Sequence, residues 1–545
     1  MAVKSVRLLC LVAVLVSAVG ITAGAQSFKV QCPTTTITHP LATNDAEPAY
    51  LGPTYANKDV YGSAMAYNNG AIKCQQISGG DGFATMGDGT QTYLFSFGPL
   101  SGIADVAAGR PGTQPPSIFN SPYPPGPPYL QPGDPATTDS GAVGSFTYNG
   151  AIGQVPDLDC IADNNKALAQ VPAAPLPCPN VPMTGPFMGI DGHVDSRQIM
   201  NIGVMNGNIP APLMAIDEDD EFFLTLSNVG QVMRPDLFEQ HTVHFHGYPN
   251  ASAFYDGVPD ASVAINIGAS FTYYYLAPDA GTYFWHCHIT PPEHLQMGMV
   301  GQIYVRPRQN RLPVDTDLYT GLTWQQGDLR TKCDVNTDVL CSNSLPAINN
   351  GAKHAAGAQY AYNDGDGSTR YDVEYPLQIH GFDPNFHFVG MTFNPEGFAD
   401  MKDKYFLLNG RSYPDTVTAG PITTQSTDGS NHYAQPLDSI INIPAGKRAL
   451  LRISDLDVTE YQTLASLGIP MTVVGWNAKL LRDQAGNNLA YNTNSVTLAG
   501  GESCDVILDT TSVPKGIYYL YTSNLDHLSN DAENFGGLMT EVHVN

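Results

Sequence analysis

The stretch that decides the fold is GTYFWHCHITPPEHLQMGMVGQIYV, residues 281–305. It begins and ends with short apolar runs, at 282–285 and 299–305, and polar and turn-forming residues separate the two. Similar runs occupy residues 222–226, 262–267 and 271–276, and few segments carry helical spacing. Short apolar or alternating runs divided by turn residues are typical of strands in a β-sandwich. The pattern therefore predicts an all-β fold for this part of the chain.

A second series of such runs follows nearer the C-terminus. It begins at Tyr371 and continues through residues 405–408, 440–443, 449–453, 471–474, 506–508, 518–521 and 539–544. DEDDEFFLTLSN at 217–228 parallels PAGKRALLRISD at 444–455, and the strand that starts at Gly281 parallels GIYYL from Gly516. Self-similarity of this kind indicates that one structural unit is repeated. We therefore expect two β-sandwiches of similar design.

The remaining segments divide the chain around these two series. Residues 1–25 combine Lys4 and Arg7 with an apolar run over 8–19 and a small-residue site at 23–25, which is typical of a cleaved export signal. We expect a secreted or periplasmic protein, with no membrane span after cleavage. The predicted domains are 26–306, with a Pro/Gly-rich insertion over about 107–180, and 368–545. Residues 307–367 are predicted to link them.

Composition excludes several classes of function. The 545 residues include 51 acidic and 25 basic side chains, which gives a net charge of -26. A phosphate backbone or an anionic lipid surface would repel such a chain, so we expect no nucleic-acid partner. The 53 glycines and 42 prolines also exclude a long helical bundle, because both residues interrupt regular structure.

The nine cysteines include Cys10 in the export segment and Cys287 between two histidines. Spacing alone does not fix disulfide connectivity. Nearness along the chain nevertheless suggests three pairs: Cys32 with Cys74, Cys160 with Cys178, and Cys333 with Cys341. Cys504 is then left over in the alternating run 503–508, where we expect a buried free thiol.

Six of the 14 histidines lie between positions 241 and 294, beside the unusual Cys287. Side chains alternate along an extended strand, so His244 and His246 point the same way, as do His286 and His288, while Cys287 points to the other side. The two histidine pairs can therefore meet on one face. A thiolate, two imidazoles and a weak thioether form a ligand set that suits copper cycling between Cu(I) and Cu(II). The residues that supply such a set are Cys287, His294 and Met299, with His241 as the natural second imidazole.

Two other interpretations use the same residues. A structural zinc site typically pairs cysteines, and only Cys287 is present here. Cys287 could also be a hydrolase nucleophile with a histidine base, but five further histidines would then have no role. We interpret Met297 as an ordinary core residue. The spacing of Met299 from His294 is instead that of an axial ligand. Copper is therefore the favoured interpretation.

At these residues the sequence resembles the multicopper oxidases. HTVHFH at 241–246 matches the family's His-x-x-His-x-His segment, and HCH at 286–288 with His294 and Met299 matches its later His-Cys-His segment. The likeness covers roughly residues 75–106 and 185–545, including DGVPD at 256–260. It implies two cupredoxin-like Greek-key β-sandwiches, of which the first binds copper and the second carries no copper motif.

The resemblance also implies roles for the ligands. A type 1 copper would be held by His241, Cys287, His294 and Met299. A type 2/type 3 cluster would receive His244, His246, His286 and His288. Electrons from a small-molecule or protein donor would enter at the type 1 copper and pass through the His-Cys-His segment to the second copper site.

Two departures from the family pattern stand out. Six residues separate Cys287 from His294, where the oxidases usually have four, and the extra residues include Pro291 and Pro292. A complete trinuclear cluster also takes eight histidines, whereas the remaining histidines of this chain are isolated. Because the four-imidazole face then needs ligands from elsewhere, we expect a homotrimer in which a neighbouring chain covers that face.

Two alternative functions stay open. The segment HTVHFH also resembles the His-Thr-x-Asp-Phe-His segment of the copper nitrite reductases, but His244 replaces the catalytic aspartate and His288 replaces a small residue. A non-enzymatic electron carrier or copper-binding protein would use the type 1 site alone. Copper stoichiometry distinguishes the three: one per chain for a carrier, two for a nitrite reductase and more for a shared cluster.

Overall fold

The computed structural model describes two β-sandwiches and the segment between them. The residues that it describes are 32–36, 39, 45–52, 69–119, 158–177, 183–184, 207–231, 234, 239–247, 253–267, 269–277, 279–325, 344–391, 397–425 and 431–545. The predicted export signal and much of the predicted insertion lie outside these residues. The domain boundaries given above therefore stay predictions.

The first sandwich consists of two four-stranded sheets. Its strands are β1 (Ile72–Thr85), β2 (Gln91–Pro99), β3 (Met214–Asp217), β4 (Glu221–Gly230), β5 (His244–Phe245), β6 (Ser270–Leu276), β7 (Gly281–His286) and β8 (Val300–Arg306). The strand orders are β2-β1-β4-β6 and β3-β8-β7-β5. Between the sheets lies one apolar core, to which Phe97 and Leu224 contribute from one side and Trp285 and Ile303 from the other.

The second sandwich consists of a seven-stranded and a five-stranded sheet. Two short strands, β9 (Gln359–Tyr360) and β10 (Arg370–Tyr371), come before it in the chain. The strands that follow are β11 (Val373–Phe382), β12 (Tyr405–Leu408), β13 (Ile422–Gln425), β14 (Asn431–Gln435), β15 (Ile441–Ile443), β16 (Arg448–Asp455), β17 (Gln462–Leu467), β18 (Met471–Trp476), β19 (Lys479–Leu480), β20 (Tyr491–Thr493), β21 (Ser495–Leu498), β22 (Ser503–Asp509), β23 (Gly516–Tyr521) and β24 (Met539–Val544). The larger sheet has the order β12-β11-β16-β22-β18-β19, with β20 also on β18, and the smaller has the order β15-β24-β23-β17-β21. The strand pairs β9-β10 and β13-β14 each form a separate two-stranded sheet.

Helices are short among the described residues. The α-helices are Ile103–Ala107, Pro116–Phe119, Leu158–Leu168, Pro291–Gln296, Leu318–Gln325 and Pro384–Met391, and the 3-10 turns are Ala253–Tyr255, Arg308–Arg311, Phe398–Asp400, Asp415–Val417 and Leu525–His527. The predicted all-β fold of two cupredoxin-like Greek-key sandwiches is therefore confirmed. The helix Leu158–Leu168 was not predicted, and it lies inside the Pro/Gly-rich insertion.

The predicted repeat appears in the strand pairing. In the first sandwich β1 runs parallel to β4, and in the second β11 runs parallel to β16 in the same position of its sheet. Likewise β8 pairs antiparallel with β7 and parallel with β3, as β24 pairs with β23 and β15. The two segments compared in the sequence, 217–228 and 444–455, therefore contain equivalent strands.

One predicted strand is wrong, and several strands were missed, among them β1, β2, β3, β17 and β21. Residues 262–267 form no strand, because only Ile265 pairs, in an isolated bridge with His241. Strands β1 and β2 were not predicted, and β1 contains Gly79, Gly80 and Gly82. Glycine is depleted in strands and has no side chain to show an alternating pattern, so no local pattern indicated β1.

Polar contacts join the two sandwiches face to face. The hydroxyl of Thr282 on β7 donates to Asp505 on β22 (2.6 Å), and Gln302 on β8 donates to the carbonyl oxygen of Arg452 on β16 (3.0 Å). Glu374 lies between Arg306 of the first sandwich, at 2.5 Å, and Arg452 of the second, at 3.0 Å. Buried charges of this kind are stable only when they are paired, so the network fixes how the sandwiches meet.

The cysteines follow the sequence interpretation where the structure describes them. Cys32 and Cys74 form a disulfide, and Cys287 and Cys504 are free and buried. The side chains of the other two predicted pairs, Cys160 with Cys178 and Cys333 with Cys341, lie outside the described residues. Among the residues that the structure describes, no helix is long and apolar enough to cross a membrane.

Candidate metal centre

The first group of candidate ligands lies inside the first sandwich. The donor atoms of His241, Cys287 and His294 all lie within 4.8 Å of one another, and all three residues are buried. The Nδ1 atom of His294 is 3.3 Å from the Cys287 sulfur, and the backbone N–H of Thr242 donates to that sulfur at 3.4 Å. Cys287 belongs to the apolar core with Trp285, so the two alternate residues share the inward face as the strand pattern predicts.

The chain between Cys287 and His294 determines where the His294 imidazole lies. Thr290 has a left-handed backbone (φ 37°), and after it the helix Pro291–Gln296 begins with Pro at its first position. We call this helix the loop helix. The two extra residues noted in the sequence therefore lie in a loop that contains a helical turn, and this turn carries His294 into the core.

Met299 follows the loop helix directly. Its backbone N–H donates to the His294 carbonyl (2.8 Å), and its own carbonyl accepts from the N–H of Cys287 (3.0 Å). Met299 and Met297 are both fully buried in the core that contains Cys287. These contacts bring the backbone of Met299 next to the backbones of both ligands, and its role as an axial ligand stays a prediction.

The unused hydrogen-bonding atoms of His241 test whether this group fits a metal. Both ring nitrogens of His241 are buried and have no hydrogen-bond partner. Leaving a buried polar group unpaired costs about 1–3 kcal/mol, and a bound ion is one way in which such a group finds a partner. Metal binding would satisfy this imidazole beside a thiol and a second imidazole. The residues therefore fit a copper ion of the His2Cys type.

Two residues that the sequence analysis missed support this group. A side chain at Gly79 would place its first carbon 2.5 Å from the His241 ring, so only glycine leaves room for the imidazole there. The carboxylate of Glu239 lies 3.7 Å from Nε2 of His294. Burial alone would lower the pKa of His294, but Cys287 and Glu239 raise it to about 9. An outer carboxylate of this kind orients a metal-bound imidazole.

The second group of candidate ligands lies on the opposite face of the same strands. His244 on β5 pairs across the sheet with His286 on β7, and Nε2 of His246 lies 2.9 Å from Nε2 of His286. The donor atoms of these three residues lie within 4.8 Å of one another. The ring centre of His288 is 5.1 Å from that of His244, so His288 borders the group, but its donor atoms are not among those that lie within 4.8 Å of one another.

Two imidazoles of the second group, those of His246 and His286, are held in their neutral forms. Burial, reinforced by the neighbouring histidines, lowers the pKa of His246 to about 4. Burial likewise lowers the pKa of His286 to about 3. Nδ1 of His244 lies 2.7 Å from the carbonyl oxygen of Asp256, which leaves Nε2 to face the other rings. Neutral imidazoles with one nitrogen fixed are the form that binds metal ions.

An open cavity connects the second group to the second sandwich. It has a volume of about 420 Å³, and His246 and His286 form part of its wall. The loop helix contributes Pro291, and the second sandwich contributes Asp457, Glu460 and Tyr461. The imidazoles of His246 and His286 are therefore accessible to a small molecule, whereas Cys287 is fully buried.

These observations define a cupredoxin-type sandwich with a buried Cys-His group joined to an accessible cluster of histidines. Residues 191–310 match the family model for multicopper oxidases. The resemblance inferred from the copper motifs is therefore confirmed: residues 191–310 carry a multicopper oxidase domain. The matched segment contains all eight candidate ligands, and its family implies copper.

Individual relatives fall into two classes. The laccase abr2 of Aspergillus fumigatus is 33% identical over 109 residues, which are 20% of this chain and 17% of the laccase. The copper-containing nitrite reductase of Rhizobium meliloti is 33% identical over 128 residues, which are 21% of this chain and 31% of that enzyme. The chain therefore spans less than a third of either relative. The solved blue copper oxidase of Nitrosomonas europaea is 21% identical and has a TM-score of 0.41, with 62% of this chain and 78% of that chain covered.

Proposed function

We propose that the chain is a secreted copper-dependent oxidoreductase of the multicopper oxidase type. A type 1 site would use His241, Cys287, His294 and Met299. A second, type 2/type 3-like copper site would use His244, His246, His286 and His288. The observation that carries this proposal is the direct covalent connection between the buried Cys287 thiol and an accessible histidine cluster in which His246 and His286 are neutral.

The connection is made by three consecutive residues. Cys287 points into the core, while His286 on the strand before it belongs to the second group. Nδ1 of His286 lies 2.6 Å from the carbonyl oxygen of Cys287, which adds a hydrogen-bonded link to the backbone path. Copper would supply one-electron chemistry at both sites, and the protein would supply a path of a few bonds between them. Electrons from a small-molecule or protein donor would enter at the buried group and leave at the cavity.

Assembly and location belong to the same proposal. The second group lies beside an open cavity, and together with His288 it offers four histidines where a complete cluster uses eight. A homotrimer, with a neighbouring chain over this face, would supply the missing donors from an isolated histidine or a carboxylate. The export-like sequence at residues 1–25 supports secretion or a periplasmic location.

The test combines metal analysis with optical and EPR spectra of the oxidised protein. The wild-type protein should show the intense visible band of a copper-thiolate bond, and Cys287→Ser should abolish it while the fold is retained. Cys504→Ser is a matched control, because Cys504 is the other described free cysteine, is equally buried and lies in the second sandwich. A band that survives in Cys287→Ser would refute the type 1 assignment.

A nitrite reductase remains the second candidate, favoured by the copper-containing nitrite reductase that is 33% identical to this chain over 128 residues. The two candidates differ in what they reduce and in how much copper they hold. Dioxygen uptake with an aromatic donor, at more than two coppers per chain, would support the oxidase. Consumption of nitrite at two coppers per chain would support the reductase, and one copper per chain without turnover would indicate an electron carrier.

A further inference from the structure

We propose that the second sandwich, which carries no copper motif, positions the ligands of the first by holding the C-terminal end of the loop helix through hydrogen bonds. We call this set of hydrogen bonds the grip. The positioning residues are His380, His387 and the side-chain partners of Gln296. This inference rests on the proposed function, since it concerns the residues that would hold a type 1 copper. It assigns a role to two histidines that the sequence left isolated.

Two imidazoles meet the last carbonyl groups of the loop helix. Nε2 of His380, on β11, lies 2.9 Å from the carbonyl oxygen of Leu295. Nε2 of His387, on the helix Pro384–Met391, lies 2.9 Å from the carbonyl oxygen of Gln296. The last carbonyls of a helix lack partners within it. The Leu295 carbonyl also accepts from the backbone N–H of Gly298 (2.9 Å), so His380 adds a second donor at that oxygen. The second sandwich thus supplies partners for a helix of the first.

Both imidazoles are themselves firmly held. His387 is fully buried, stacks on Phe382 with ring centres 3.6 Å apart, and directs Nδ1 at the carbonyl oxygen of Tyr93 on β2 (2.7 Å). It therefore links the loop helix to a strand of the first sandwich as well. His380 is also buried and lies within β11, where the strand fixes its backbone.

The side chain of Gln296 makes a third attachment. Its amide nitrogen donates to Asp403 (2.9 Å), and its amide oxygen accepts from the backbone N–H of Asp383 (3.0 Å). Gln296 is fully buried, so both halves of its amide are satisfied by the second sandwich. Together the three attachments hold the two residues that lie between His294 and Met297.

The position of this grip explains why it acts on the ligands. Leu295 and Gln296 directly follow His294, and Met299 lies three residues beyond Gln296. A shift of the helix end would move the His294 ring relative to the Cys287 sulfur, which is now 3.3 Å from Nδ1. Loss of a group that orients a ligand typically weakens metal binding about 10- to 100-fold.

The test compares two substitutions at His380 in the full chain. His380→Gln keeps an amide N–H near the position of Nε2, whereas His380→Met fills the space without a donor. We expect His380→Met to weaken copper binding about 10- to 100-fold and to shift the midpoint potential and the visible band. His380→Gln should recover most of the wild-type values, and Gln296→Met should resemble His380→Met.

A matched control and a copper-free measurement separate the possible outcomes. His354→Met makes the same change at a buried histidine outside the grip, and it should leave the copper spectra unaltered. In the copper-free protein, amide hydrogen exchange over residues 291–299 should be faster in His380→Met than in wild type. Wild-type exchange, affinity and potential in both His380→Met and Gln296→Met would overturn the positioning role. A wild-type protein that binds no copper would instead overturn the proposed function, and the exchange data would still test the grip.

Discussion

Replacing Glu374 by glutamine should weaken the contact between the two sandwiches in a way that depends on pH. The carboxylate lies between Arg306 and Arg452 and also accepts from the hydroxyl of Tyr371 (3.1 Å). Burial raises the pKa of this carboxyl, but the two guanidinium groups outweigh burial and lower it from 4.5 to about 2. The charged form is therefore stabilised in the folded protein.

The magnitude follows from this pKa. A carboxyl with a depressed pKa in the folded state stabilises the fold above its unfolded pKa, and the contribution is lost as the pH falls towards the folded pKa. At about 1.4 kcal/mol per pKa unit, Glu374 contributes on the order of 3 kcal/mol at pH 7. By the same relation, roughly half of this remains at pH 3. The contribution therefore disappears between about pH 4.5 and pH 2.

Urea unfolding of the copper-free protein at pH 7 and pH 3 measures the effect. We expect Glu374→Gln to lower the free energy of unfolding at both values, and by about twice as much at pH 7. Glu533→Gln is the control, because that side chain is exposed and such a change usually alters stability by less than about 0.5 kcal/mol. An equal loss at the two pH values, or none at pH 7, would refute the assigned charge interaction.

Three further predictions concern the thiols, the disulfide and assembly. Thiol titration of the denatured, unreduced, copper-free protein should find Cys287 and Cys504, and a single thiol would contradict a free Cys504. Replacing Cys32 and Cys74 by alanine should lower the free energy of unfolding by about 2–4 kcal/mol in a denaturant titration, and an unchanged midpoint would argue against the disulfide. Light scattering should give three times the chain mass. A monomer that keeps full copper loading and oxidase activity would contradict the trimer.

The sequence predicted the parts of the fold that depend on local patterns. Strand β7 and the His-Cys-His segment could be read directly, because alternation along a strand decides which side chains share a face. The repeat was visible for the same reason. The glycines of β1 hid that strand, since they carry no side chain whose polarity could be compared.

The contacts that shape the candidate site join residues far apart in the chain, and local patterns do not report such contacts. Gly79 makes room for His241, 162 positions later, and nothing in the neighbourhood of Gly79 indicates this. His380 reaches the loop helix from 85 positions away. The extra residues between Cys287 and His294 could be counted in the sequence, but their helical form depends on partners in the other sandwich.

The charge of the cavity wall affects how readily different small molecules enter the cavity. Its described lining residues include the carboxylates of Asp457 and Glu460 and no lysine or arginine, and the whole chain has a net charge of -26. Such walls concentrate the potential of one sign inside a cleft and change the rate at which charged molecules enter. An anion such as nitrite would approach against this potential, most steeply at low ionic strength, because dissolved salt screens it. A neutral gas such as dioxygen would enter without that barrier, and a cationic donor would be drawn towards the opening.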